Sequence, residues 1–194
     1  MISRVESAAA TRRALLDAAA ELLDLGGPEA VTLREVGARA GVSRGAPYRH
    51  FPDKESLLAA IATESWEHVG DRIQALRADS GLPASEQLRG ALLAMIGIGR
   101  QKPHLYQLMF TTPSSNPEAV LRAASRSQDE FLAIVAAIVG EADARRYGAL
   151  LLTSAHGIAG LELAGHLTAE KWQTNADELV DTLVRLVAQP GAGR

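Results

Sequence analysis

The residues best suited to bind an acidic partner lie between positions 39 and 54. This segment contains one acidic residue, Asp53, and four basic residues, Arg39, Arg44, Arg49 and Lys54. The whole chain carries a formal net charge of −3, but a local excess of positive charge is what attracts a phosphate backbone. The pattern therefore predicts contact with nucleic acid. The alternative is that the same charges belong to ordinary solvated helix faces.

The chain offers few residues whose types and spacing suit catalysis or metal binding. The chain has no cysteine, which excludes disulfides, thiolate metal ligands and cysteine nucleophiles. Two Glu–His pairs approach the motif of helical metal bundles: Glu64 with His68, and Glu162 with His166. Both have the i, i+4 spacing rather than i, i+3, and pairing along a helix surface explains them. Ser154 and His156 lack a third member for nucleophilic catalysis. We therefore predict no enzyme activity, no metal and no cofactor.

The composition indicates an all-α protein. Hydrophobic residues make up 47% of the chain and aromatic residues only 4%, and the apolar residues are mostly Ala and Leu, which are strong helix formers. The sequence shows no signal-peptide pattern and no run of about 18 apolar residues that could cross a bilayer. We expect a soluble cytoplasmic protein without a membrane partner.

The first segments have the spacing of a helix-turn-helix unit. Residues 8–25 place an apolar stripe on one helix face and stop at Gly26-Gly27-Pro28. A second helix opens with Thr32 and Glu35, which match a capping box, and ends at Gly41. A third short helix follows after a turn of about three residues containing glycine, which is the arrangement of this motif.

The third helix contains a proline, which helices usually exclude. With Ser43 as its N-cap, Pro47 falls at the edge of the first turn and removes at most the first helical hydrogen bond. Proline also disfavours the α conformation at Ala46, so this helix should be loose or begin late. Gly45 and Ala46 would let the backbone approach a partner closely. Gly37 is expected where the second and third helices cross.

A long helix and a further group of helices follow. Asp53 is a candidate cap for a connecting helix. The other predicted helices cover 84–101, a short segment from Pro103, 117–139 behind Asn116, 142–166, and 175–188 behind Thr174 and Asp177. The predicted domains are 1–53 (helix-turn-helix), 54–79 (connecting helix) and 80–194 (a second helical domain).

The N-terminal residues resemble a known family. "VTLREVGARAGVSRGAPYRHFPDKESLLAAI" is similar to the DNA-binding domain of TetR-family transcriptional regulators, a likeness that covers residues 10–61. "PHLYQLMF" and "AHGIAGLELAG" resemble the subgroup named for a Trp-His-Gly motif, although Ala155 stands where that motif has tryptophan. The resemblance implies a homodimer that reads a near-palindromic operator, with 80–194 as a ligand-binding and dimerisation domain. We predict a ligand-released repressor, and an activator is the alternative that the sequence leaves open. The alternative function is a helical adaptor that binds only protein, which would lack salt-dependent binding to DNA.

Helix-turn-helix geometry indicates which side chains would contact DNA. The second helix of the motif lies in the major groove with its N-terminal residues at base edges, and here Arg44 can bind guanine through two hydrogen bonds. Arg49 can reach a base or a phosphate, whereas Phe51 is assigned to the core. Tyr48, His50, Lys54 and the Thr32 end of the preceding helix are expected to hold phosphates. The predicted DNA contacts are Thr32, Arg34, Ser43, Arg44, Gly45, Tyr48, Arg49, His50 and Lys54.

The second domain is expected to bind a small-molecule effector and a second copy of the chain. Effector pockets are apolar with a few polar groups, and the candidates are Trp66, Met95, Tyr106, Met109, Phe110 and His156. Plain core packing is the alternative for the apolar members, and a core histidine for His156. Residues 142–166 and 175–188 are apolar on more than one face, which predicts a dimer through these two helices.

Overall fold

Every regular secondary-structure element among the described residues is a helix. The computed structural model describes residues 4–111 and 114–188, which contain ten helices and no strand. The helices are α1 (Arg4–Ala30), α2 (Leu33–Arg39), α3 (Ala46–His50), α4 (Lys54–Ala78), α5 (Ala84–Gln101), α6 (Pro103–Met109), α7 (Pro117–Val139), α8 (Glu141–Leu163), α9 (Ala169–Trp172) and α10 (Ala176–Ala188). The all-α prediction is confirmed. Within the described ranges, no helix is long and apolar enough to cross a membrane.

The helices group into two compact units. The first comprises the chain up to Ser65 together with Lys102–Arg122, and the second comprises Trp66–Gln101 and the chain from Ala123 onward. α6 belongs to the first unit because it packs against α1, and the domain limits at 53 and 79 stay a prediction. α4 is one helix whose first residues belong to the first unit and whose remaining residues belong to the second.

The N-terminal helix bends where its sequence predicts an end. Gly26 and Gly27 depart from helical dihedral angles, and Gly27 has a φ of 69°. The apolar stripe before this bend is buried in the core of the first unit and consists of Leu15, Leu16, Ala18, Ala19, Leu22 and Leu23. α1 therefore supplies the surface on which the two shorter helices rest.

The second helix is bounded as its sequence predicts. The backbone N–H of Glu35 donates to the hydroxyl of Thr32 at 3.1 Å, which confirms Thr32 as the N-cap. At the other end, the N–H of Val42 donates to the carbonyl of Gly37 and the N–H of Gly41 to the carbonyl of Ala38. Gly41 has a φ of 66°, and this pair of bonds with a left-handed glycine is a Schellman motif. The motif turns the chain sharply toward α3.

The third helix begins later than the predicted N-cap. Its N-cap is Gly45 rather than Ser43, so the prediction for Ser43 is wrong, whereas the expected late start is confirmed. The physical reason is Pro47. A helix capped at Ser43 would need an N–H at position 47, which proline lacks. The carbonyl of Ser43 instead accepts the N–H of Ala46 at 2.8 Å in a tight turn, and Pro47 becomes the second helical residue.

Two buried residues anchor this short helix. Pro47 is buried against α2, and a Cβ added to Gly37 would lie only 2.7 Å from its Cγ, so the predicted close crossing at Gly37 is confirmed. Phe51 is buried in the first unit, and the guanidinium of Arg12 lies over its ring at 5.4 Å. Phe51 is therefore a core residue, as predicted.

The second unit is built on α5, α8 and α10, which pack against one another. Arg100 on α5 joins all three helices, since it contacts Glu162 at 2.7 Å and Asp177 at 2.6 Å. The bonds to Glu162 and then to Asp177 raise the pKa of Arg100 above its usual value. The carboxylate of Glu162 therefore pairs with Arg100. It makes no ion pair with His166 among the described residues, although the i, i+4 spacing suggested one.

The cap of α10 differs from the predicted one. The N–H of Glu178 donates to the side-chain oxygen of Asn175 at 3.0 Å, and the N–H of Asn175 donates to the carboxylate of Glu178 at 3.3 Å. This reciprocal pair is a capping box one residue beyond the predicted pair, Thr174 and Asp177. The short helix α9 was not predicted, because four residues are too few to show an apolar period.

Candidate nucleic-acid interface

The turn and the helices on either side of it carry a group of exposed, mostly basic residues. We call the nine predicted contact residues the basic face. Seven are exposed: Thr32, Arg34, Ser43, Arg44, Gly45, Tyr48 and Arg49. The other two, His50 and Lys54, are half-buried. The predicted residues are therefore accessible from solvent, and the helix-turn-helix holds them on one short segment of the first unit.

Three arginines of the basic face have no acidic partner among the described residues. Arg34, Arg44 and Arg49 make no ion pair within these ranges. Arg39 differs, because its Nε contacts the carboxylate of Glu21 at 2.6 Å and so ties α2 to α1. Arg39 therefore links α2 to α1, whereas the other three arginines have no competing carboxylate among the described residues.

The boundary between α3 and α4 also carries opposite charges. The ammonium of Lys54 lies 3.9 Å from the carboxylate of Glu29, a distance at which the pair is loose and leaves the ammonium accessible to a phosphate. Asp53 accepts the N–H of Ser56 at 2.7 Å and caps α4, as predicted. Hydrogen bonds from the hydroxyl and then the N–H of Ser56 lower the pKa of Asp53. The one acidic residue of this segment is thus occupied by a helix N-terminus.

The side chains at the N-terminal end of α3 differ in how far they are exposed to solvent. Tyr48 is 57% exposed, so its hydroxyl is accessible to a partner. A Cβ added to Gly45 would lie 4.0 Å from Nη1 of Arg49, which places the Arg49 guanidinium beside the start of the helix. Ala46 is only 3% exposed and packs inward. The expectation that Ala46 lets the backbone approach a groove is therefore wrong, and Gly45 alone has that position.

The six effector candidates divide between the two units. Tyr106, Met109 and Phe110 belong to the first unit, where the rings of Tyr106 and Phe110 have centroids 4.9 Å apart. Burial raises the pKa of Tyr106 to about 12, so its hydroxyl is neutral at physiological pH. Tyr106 and Met109 are buried, whereas Phe110 is partly exposed.

The other three candidates, Trp66, Met95 and His156, belong to the second unit. Trp66 and Met95 are buried. His156 is exposed on α8, which rules out the core-histidine alternative. A cavity of about 450 Å³ opens between α7 and α8 beside Asp129, Leu132, Glu141 and Arg145, and none of the six candidates lines it. The shared pocket therefore stays a prediction.

Sequence reasoning missed two contributors to this interface. Arg12 and Pro47 do not belong to the basic face, yet each holds α3 in place from behind. The sequence did indicate the role of Pro47, because Gly37 lies in the middle of α2 and faces α3, the helix that contains Pro47. Arg12 had no such signal, since its contact with Phe51 joins distant parts of the chain. No group of three or more histidine and acidic side chains suited to a metal ion occurs within residues 4–111 and 114–188.

Two family models match the chain. Residues 15–61 match the model described as bacterial regulatory proteins, tetR family, and residues 88–187 match the tetracyclin repressor-like C-terminal domain. Among curated relatives, the HTH-type transcriptional repressor KstR of Rhodococcus jostii (strain RHA1) is 41% identical over 61 residues, which are 31% of this chain and 29% of that protein. The HTH-type transcriptional regulator AcrR of Shigella flexneri is 38% identical over 66 residues. The chain thus matches about a third of the length of these relatives.

A solved structure covers nearly the whole chain. It is a protein of unknown function from Rhodococcus sp. RHA1, which is 28% identical, covers 92% of this chain and 96% of its own, and has a TM-score of 0.77. The second family model alone spans more than half of the chain. The chain therefore belongs to the tetR family of bacterial regulatory proteins.

Proposed function

We propose that this protein is a DNA-binding transcriptional regulator, and more specifically a ligand-released repressor that binds a near-palindromic operator as a homodimer. The observation that carries the proposal is the basic face, with Arg34, Arg44 and Arg49 exposed and without acidic partners among the described residues. Its matched relatives include a protein named as a transcriptional repressor. Because operator DNA is in the cytoplasm of a bacterium, the proposal places the protein there.

The basic face supplies both base and phosphate contacts. Arg44 precedes α3 and is fully available, so we assign it the two-bond contact with guanine in the major groove. Arg49 lies beside the same end of the helix and serves a neighbouring base or phosphate. Tyr48, His50, Lys54, Arg34 and the Thr32 end of α2 are assigned to the backbone, where contacts set position without reading sequence.

A second apolar face on α8 supports the dimer. The inward face of α8 packs on its own unit through Ala144, Gly148, Leu151, Ala155 and Ala159. A further row, which we call the α8 stripe, is exposed and consists of Ala149, Leu150, Thr153, His156, Gly157, Gly160 and Leu161. A Cβ added at Gly157 or Gly160 would meet nothing within 4 Å. The stripe is therefore open, and small residues at its centre would let another helix approach closely.

α10 extends the same argument. Leu179 and Leu183 are half-buried and Leu186 is exposed, and their spacing puts all three on one helix face. Large exposed apolar surfaces are unusual on monomers, and a two-fold axis lets one such surface cover its own copy. The two copies of α3 would then lie about 34 to 36 Å apart, the separation of successive major grooves on one side of DNA.

The regulatory part of the proposal concerns the second unit. An effector changes DNA affinity only if it binds one conformation of the dimer better than another. We propose an apolar effector of modest size that contacts the second unit near Trp66 and Met95, and α4 as the helix that links it to the basic face. The coupling should be about 1–3 kcal/mol. The Trp-His-Gly subgroup is likewise proposed, on the exposed His156-Gly157 step of α8.

The DNA proposal is tested with a duplex enriched by the wild-type protein from a randomised double-stranded library. Arg44→Ala should weaken binding to this duplex by about 1–3 kcal/mol and relax base preference within the half-site. Lys54→Ala should weaken binding to the enriched and a scrambled duplex alike, and reduce the salt dependence by about one unit. Equal losses with unchanged sequence preference for both variants would refute the division into base and phosphate contacts.

The effector proposal is tested by thermal shift against a metabolite library, because a ligand that binds the folded state raises its melting temperature. Each hit is then added to the protein bound to the enriched duplex. Release of the duplex supports a ligand-released repressor. A ligand that binds tightly and leaves DNA affinity unchanged contradicts the regulatory part alone.

A further inference from the structure

We infer that Gly37 and Pro47 are a positioning pair. The ring of Pro47 occupies the space left by the missing side chain of Gly37, and this contact sets where α3 lies and therefore where Arg44 and Arg49 are presented. The inference rests on the proposed function, because it concerns how the basic face is placed against DNA.

The contact between the two residues is too close to admit a side chain at position 37 without movement. A Cβ on Gly37 would lie 2.7 Å from Cγ and 3.4 Å from Cδ of Pro47, and 4.0 Å from a methyl of Val42. Both Gly37 and Pro47 are buried. A flexible side chain could rotate away from an added methyl group, but the pyrrolidine ring fixes φ and has only its pucker to adjust. A larger residue at 37 must therefore move α3.

Both residues also anchor backbone that flanks the contact. The carbonyl of Gly37 accepts the N–H of Val42 at 3.1 Å and so closes the turn, while the carbonyl of Pro47 accepts the N–H of Phe51 at 2.9 Å. α3 has only five residues, and a helix this short has little stability of its own. Its position thus depends on the Pro47 contact at one end and on buried Phe51 at the other.

The size of the required movement decides the effect on DNA binding. Carbon atoms in ordinary contact are about 3.5–4.0 Å apart, so an alanine at position 37 would displace Pro47 by about 1 Å. Binding groups must be held within about 0.5 Å of their working geometry. The displacement is therefore enough to break a two-bond contact between an arginine and guanine, whereas attraction of the same charges to phosphates tolerates it.

The test is a double-mutant cycle with four proteins: wild type, Gly37→Ala, Pro47→Ala and the double variant. Gly97→Ala is the matched control, because Gly97 also lies inside a helix and a Cβ there would meet nothing within 4 Å. Each protein is titrated, at one fixed salt concentration, against the duplex enriched by wild type and against its scrambled version. Circular dichroism melts report folding.

We expect Gly37→Ala to lower affinity for the enriched duplex by about five- to 100-fold and to leave binding to the scrambled duplex unchanged. Gly97→Ala should bind as wild type. In the Pro47→Ala background, where Cγ is gone, adding Gly37→Ala should cause no further loss. Wild-type affinity for Gly37→Ala, or an equal loss with proline or alanine at position 47, overturns the inference.

The experiment still tests the inference if a variant fails to fold. If Gly37→Ala does not fold, a double variant that folds and binds like Pro47→Ala supports the inference, and a double variant that stays unfolded overturns it. Arg44→Ala, measured in the same assay, separates this inference from the proposed function. Unchanged binding by Arg44→Ala would remove the assigned base contact, whatever the outcome of the cycle.

Discussion

Replacement of Leu186 by alanine should weaken the proposed dimer strongly. Leu186 is 68% exposed on α10, so about two thirds of the 1.5–3 kcal/mol that complete burial of leucine contributes, about 1–2 kcal/mol, is still to be gained from a partner. A two-fold dimer contains this residue twice, which gives about 2–4 kcal/mol before the part retained by the alanine methyl group. We expect the dissociation constant to rise by about 10- to 100-fold.

Leu121→Ala provides the matched control for this measurement. Leu121 is 65% exposed and lies on α7, which is not one of the two helices of the proposed dimer face. The mass of each variant is followed by light scattering or sedimentation over a dilution series, in which the wild type should weigh twice the 20.5 kDa of one chain. A wild-type mass of one chain at micromolar concentration, or equal weakening by Leu121→Ala and Leu186→Ala, would refute the assignment of the dimer to α8 and α10.

Two further predictions concern stability. Hydrogen bonds from Ser56 lower the pKa of Asp53 in the folded protein, so the stability from this cap is fully present above the pKa of the unfolded chain and is lost as the pH falls through the lower folded value. Asp53→Asn, which can still cap, should therefore flatten the acid limb of a pH–stability curve. Gly27→Ala should cost more in urea denaturation than Gly41→Ala. The positive φ of Gly41 costs alanine about 1–2 kcal/mol. Gly27 combines a φ of 69° with a ψ of −171°, a region that essentially only glycine adopts, and its new Cβ would also meet the ring of His104 at 3.2 Å.

Local signals predicted the helix-turn-helix well, because each depends on residues within a few positions of one another. The Thr32 cap, the left-handed Gly41 and the Asp53 cap are all confirmed. The nine residues of the basic face are exposed or half-buried, and their contact with DNA stays a prediction. The error at Ser43 had a local cause too: the missing N–H of Pro47 outweighs the preference of serine for the N-cap.

Contacts between distant residues could not be predicted in the same way. Arg39 counted as a DNA-facing charge in the sequence, yet it binds Glu21, which lies 18 residues earlier. Ala46 looked accessible because of its small size, but it is buried in the first unit. The grouping of α6 with α1 depends on packing that no short pattern encodes.

The pairing of charges explains how a chain with a net charge of −3 can still present a binding surface for phosphate. Away from the basic face, many arginines are held by carboxylates: Arg12 and Arg13 by Glu64, Arg77 by Glu130, Arg89 by Asp181, and Arg100 by Glu162 and Asp177. An arginine beside a carboxylate offers a phosphate little net attraction, because the acceptor already competes for its N–H groups. On the helix-turn-helix, Arg34, Arg44 and Arg49 are exposed and have no carboxylate partner among the described residues. Local availability of these charges therefore outweighs the total charge of the chain.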